Sequence, residues 1–181
     1  MVIAARTALL SLLVALGGGC EDGPAPEPVP VRLAVAEGWV RITDPTMDVF
    51  ADERPADATC DDAGYLVEPV TQWFEVLTDV CDYLTVRQGT REPLAPGDVV
   101  TIEASHEVLT APSPGEGYVG FALDGVVVWE VRVPIPGEAG ELSGEVTIDR
   151  ALPAGTEMQL HVHNHGANAW ALRSVMVTPA D

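Results

Sequence analysis

The chain has 181 residues, with 28 acidic and nine basic side chains and a formal net charge of −19. Every basic residue is arginine, so Schiff-base and lysine general-base chemistry are excluded. The negative charge repels nucleic acid and anionic lipid headgroups, which excludes a nucleic-acid partner. Cysteine is scarce: Cys20, Cys60 and Cys81.

In chain order, the first element is MVIAARTALLSLLVALGGGC. One positive charge, Arg6, precedes an apolar run from Ala8 to Leu16, and Gly17, Gly18 and Gly19 lead to Cys20. A transmembrane helix needs about 20 apolar residues, and this run is shorter. Its build is that of a secretory signal. It resembles a bacterial lipoprotein signal, in which small residues precede a cysteine that receives lipid. Gly17 stands where that pattern usually has an aliphatic residue; Leu16 lies one position earlier. The resemblance implies removal of residues 1–19, lipidation (palmitate among the chains) at Cys20, and a membrane partner reached through that lipid. Two lipid chains suffice for stable anchoring. The expected location is the cell envelope, on the periplasmic face or cell surface, with a cleaved secreted protein as the alternative.

Residues 20–30 carry Pro24, Pro26, Pro28 and Pro30 at every second position. Such spacing favours polyproline II and a stiff stalk of about 30 Å at roughly 3.1 Å per residue. The stalk would lift a domain spanning residues 31–181 off the membrane. In an exported protein Cys60 and Cys81 form an even pair and read as a disulfide. The crosslink is expected to stabilise by about 3 kcal/mol.

From Val31 onward the pattern is strand rather than helix. Candidate strands are VRLAV (31–35), WVRIT (39–43), WFEVL (73–77), YLTVRQ (83–88) and DVVTIEASHEVL (98–109). YVGFAL (118–123) and VVVWEVRV (126–133) flank Asp124-Gly125, a favoured hairpin turn. GEVTIDR (144–150), EMQLHVHNH (157–165) and WALRSVMV (170–177) follow. Residues 44–69, with three prolines and the acidic run DERPADATCDDAG, read as irregular and solvated. No helical period persists beyond the signal. About nine or ten short strands at this spacing predict an all-β fold, an antiparallel β-sandwich or jelly roll.

Three of the four histidines, His161, His163 and His165, alternate along one candidate strand. Side chains two apart share a face, so Met158, Leu160 and Val162 point to the core and the histidines form a polar row opposite. Neighbours in the row lie about 6.6 Å apart and the outer pair about 13 Å apart. Two can chelate one ion, and a complete site needs a ligand from another strand. His106 is the candidate, with Glu103 or Glu107 as oxygen ligands. Imidazole-rich ligation suits zinc or copper. The competing reading is a solvated polar sheet face. No G-x-S-x-G, H-E-x-x-H, P-loop or EF-hand pattern is present, and no catalytic residue is assigned.

The segment from FALDGVVVWEV to WALRSVMV, roughly residues 118–178, resembles the second half of galactose-binding-like jelly rolls in its strand–PAG–strand rhythm and Trp-containing final strand. That resemblance implies ligand-binding loops at one end of a sandwich and sugar recognition by exposed aromatics, with Trp39, Trp73, Trp129 and Trp170 available. The competing reading places these tryptophans in the core. HVHNHG also resembles the H-x-H copper element of type II copper monooxygenases, with Met176 the only later methionine; the chain lacks the histidines of their second copper domain, and an enzyme is not expected. Three functions remain open: a metal-binding module, a carbohydrate- or peptide-binding module, and a structural envelope lipoprotein without a small ligand.

Overall fold

A computed structural model of the chain describes residues 28–164 and 166–180. The signal, Cys20 and most of the stalk lie outside the described residues. The described residues form eleven strands: β1 (Val31–Arg32), β2 (Val40–Arg41), β3 (Tyr65–Val67), β4 (Phe74–Leu77), β5 (Tyr83–Gly89), β6 (Val99–His106), β7 (Gly115–Leu123), β8 (Val126–Ile135), β9 (Gly140–Thr147), β10 (Glu157–His163) and β11 (Ala169–Thr178). They make two antiparallel sheets. One has the order β3-β4-β11-β6-β9, with β1 joined to the far end of β11; the other has the order β2-β5-β10-β7-β8. The fold is the expected all-β sandwich of jelly-roll type. Among the described residues no helix is long and apolar enough to cross a membrane.

Strand periodicity builds the core. Phe74, Val76, Ile102, Ala104, Trp170 and Leu172 of the first sheet face Leu84, Val86, Val119, Phe121, Leu160 and Val162 of the second, and all are buried. Each alternate position points away from this interface. The β7–β8 hairpin turns at Asp124 and Gly125, with φ of 51° and 75°. Positive φ at both central residues matches the twist of the flanking strands; Asp tolerates this conformation and Gly adopts it freely.

Two local expectations change. Tyr65–Val67 is a strand, paired with β4, inside the stretch read as irregular. Strand β9 begins at Gly140, not Gly144, because Gly140–Thr147 pairs residue for residue with β6. Gly, Glu and Ser carry weak strand propensity, and the neighbouring strand supplies what propensity does not.

Cys60 and Cys81 form the expected disulfide. It ties the long β2–β3 connection to the start of β5. The double variant Cys60→Ser, Cys81→Ser is expected to lose about 3 kcal/mol in denaturant unfolding, with the β-sheet spectrum retained at low denaturant. Unchanged stability would show that the crosslink constrains nothing the fold does not already hold.

Candidate functional site

The histidine row meets a different environment from the one expected. Met158, Leu160 and Val162 point into the core as expected. On the opposite face His161 is fully buried, because residues 44–54 fold back across the outer face of the second sheet. Phe50 stacks on the His161 ring at 4.8 Å with planes 13° apart, and Tyr83 and Tyr118 contact the imidazole from the sides. Gly120 leaves the room for Phe50: a Cβ there would stand 2.5 Å from the Phe50 ring. The flap is then latched by polar contacts. Asp48 accepts hydrogen bonds from the Tyr83 hydroxyl (2.7 Å) and the Thr85 hydroxyl (3.0 Å). The Gln159 side chain donates to the Met47 carbonyl (2.8 Å) and accepts from the Val49 amide (3.0 Å). Burial, with the charge of His163 second, pushes the His161 pKa down to about 3. It is a neutral core imidazole, hydrogen-bonded through Nδ1 to Thr85 at 3.0 Å.

His106 does not join this row. It lies on β6 of the other sheet, where its Nδ1 donates to the Glu107 carbonyl at 2.9 Å and its ring packs on Trp170 at 4.9 Å. His106 and His163 stand on strands of different sheets, β6 and β10. Among the described residues no group of three His, Cys, Asp or Glu side chains could hold a metal ion. His165 lies outside the described residues.

The chemistry-bearing depression is on the outer face of the first sheet. Ala169 and Ala171 of β11 and Ser105 of β6 point outward side by side, with Ala171 in register between Glu75 of β4 and Ser105. Their small side chains leave a floor lower than its surroundings. The β3–β4 turn, carrying Glu68, Thr71 and Trp73, forms one wall, and Glu107, Val108 and Ala139 form the other. The cleft encloses about 560 Å³, within the range of small-ligand sites.

The turn that presents Trp73 is closed by its own hydrogen bonds. The Glu68 amide donates to the Trp73 carbonyl (2.9 Å), and Gln72, at φ 60°, donates its side-chain amide to the Pro69 carbonyl (2.9 Å). The Glu68 carboxylate accepts from the Thr71 amide and hydroxyl and the Val70 amide. These bonds, the Thr71 amide first, hold its carboxyl below the usual range. The Arg173 guanidinium packs over the Trp73 ring at 5.0 Å and pairs with Glu141 at 2.6 Å. Glu75 is pushed the other way: burial first, then the like charges of Glu107 and Glu68, raise its carboxyl.

The other tryptophans are structural. Trp39 and Trp170 are buried in the core and Trp129 packs against it, over Gly144. Trp73 alone of the four lines the cleft. Of its neighbours, His106 and Glu107 were singled out from sequence, as candidate metal ligands, and the cleft itself was not. The available signal was the small-residue alternation in AWAL, which places Ala169 and Ala171 on one face and Trp170 and Leu172 on the other.

No protein-family model matches the chain, and no curated protein matches it. Among solved structures, the chain is similar to a xylan-binding module, CBM15, at 13% identity and TM-score 0.48, over 85% of this chain and 98% of that one. It is similar to TmCBM27, a carbohydrate-binding module of specific mannan recognition, at 9% identity and TM-score 0.45, over 86% and 98%. A CBM35 from Paenibacillus barcinonensis follows at 11% and 0.40, over 84% and 99%. At these identities the likeness is one of fold.

Proposed function

We propose that this protein is a non-catalytic carbohydrate-binding module that holds an oligosaccharide in the cleft on the outer face of the first sheet. A lipid on Cys20 and the proline stalk would carry it at a bacterial envelope. The observation that supports the reading is the combination of a tryptophan wall, an alanine floor and carboxylates at the rim. A pyranose ring has an apolar C–H face, which packs on an aromatic ring, and equatorial hydroxyls, which donate to carboxylates in charge-assisted bonds. A flat floor of small residues admits the ring edge-on between the two.

Screening the full chain against immobilised glycans, followed by calorimetry on the best oligosaccharide, tests this reading. Saturable binding that is lost in a Trp73→Ala variant is expected. Absence of binding across neutral, amino and acidic glycans would refute it. Cys20 lipidation is checked separately: labelled palmitate is expected in the wild-type chain and absent in Cys20→Ala.

A further inference from the structure

We propose that the cleft selects a glycan bearing free amino groups, a glucosamine oligomer, over the neutral or N-acetylated sugar of the same backbone. The proposal rests on the glycan reading above and names the class of sugar it takes.

The argument begins with charge that the protein itself does not neutralise. Glu68, Glu75 and Glu107 all line the cleft, and no arginine does. The chain contains no lysine to reach in from elsewhere. The ion pairs formed among the described residues include neither Glu75 nor Glu107. The cation beside the cleft, Arg173, is engaged with Glu141 and with the Trp73 ring. His106, the other titratable lining group, turns its Nδ1 to a backbone carbonyl. Some carboxylates elsewhere are paired with arginine, as in Arg87–Glu157 and Arg150–Asp124. In the cleft three carboxylates converge with no arginine among the lining residues.

That convergence has a consequence for Glu75. Its carboxyl is partly desolvated and faces two like charges, so its ionised form is disfavoured in the empty cleft. A ligand ammonium placed among the three relieves the repulsion and forms a charge-assisted hydrogen bond, stronger than one from a hydroxyl. Acetylating the amine removes that charge, and a uronic acid would add to the repulsion. The tryptophan wall and small-residue floor distinguish the cleft from a bare acidic surface, because they also demand a ring with an apolar face.

Calorimetry with three β-1,4-linked oligomers of equal length tests the proposal: glucosamine, N-acetylglucosamine and glucose, each at low and high ionic strength, with oligolysine as a fourth probe. The glucosamine oligomer is expected to bind at least about tenfold more tightly than the other two. The margin is expected to shrink with salt. Glu107→Gln, at an exposed position, and Glu75→Gln are each expected to narrow the margin between the glucosamine and glucose oligomers. Equal affinity for the three sugars would overturn the selectivity and leave the glycan reading standing. Trp73-independent binding, or none, would remove the glycan reading itself. Oligolysine binding as tightly as the amino sugar would also overturn the proposal, since charge alone would then account for the attraction.

Discussion

Trp73→Ala is expected to weaken oligosaccharide binding by about 2 kcal/mol or more, roughly thirtyfold, with the unfolding midpoint nearly unchanged. The size follows from what the ring does. It is the aromatic wall of the cleft, oriented on one side by the Arg173 guanidinium at 5.0 Å. The wall itself is a backbone structure: the Glu68–Trp73 turn is closed through main-chain groups and the Glu68 carboxylate, none of which depends on the indole. Removing the side chain therefore removes the stacking surface and leaves the turn. Calorimetry and thermal unfolding on the same variant separate the two effects. A variant that binds as wild type places the sugar elsewhere; one that unfolds early makes Trp73 a packing residue.

Phe50→Ala is expected to destabilise the protein by about 3–5 kcal/mol, the usual range for deleting a buried phenylalanine side chain. It is also expected to raise the His161 pKa from about 3 towards the ordinary 6.5. Both effects come from one contact, the Phe50 ring stacked on the imidazole. The depressed pKa fixes the sign of the pH dependence. Between pH 6.5 and about 3 the unfolded chain carries a proton on His161 and the folded chain does not. Acid therefore favours unfolding, by about 1.4 kcal/mol per pH unit in this window. Above 6.5 this contribution is complete and constant. Unfolding free energies of wild type and His161→Leu, compared across that window, give the slope directly, since the leucine variant lacks the titrating group. Parallel curves would show that His161 titrates normally and that the flap does not exclude water.

The sandwich was legible because it depends on period. Val100, Ile102 and Ala104, or Met158, Leu160 and Val162, alternate with polar residues over enough positions that only a strand buries one set. The Asp124-Gly125 turn was legible for a similarly local reason: both residues accept positive φ. The disulfide followed from an even pair of cysteines in a chain expected to be exported. The strand at Tyr65–Val67 was not legible, since three residues carry no period and its ladder comes from β4.

The histidine row shows where local reading stops. Alternation correctly placed His161 opposite the core-facing side chains, yet the face it points to is set by Phe50, more than a hundred residues away. In a row read from sequence as a candidate metal site, His161 lies under a flap as a buried imidazole sharing Thr85 and, through it, Asp48. The cleft is the converse case. Ala169, Ala171 and Ser105 carry no chemistry in sequence and become a floor only because β4, β11 and β6 lie side by side.

By itself the sequence determined the sheet periodicity, the Asp–Gly hairpin and the strongly acidic charge, because each is a property of neighbours along the chain or of a sum over it. Tertiary structure alone decided which of two polar faces is covered and which stays open. That choice depends on where the connection between β2 and β3 folds back, and on which strands, distant in sequence, stand adjacent in the sheet.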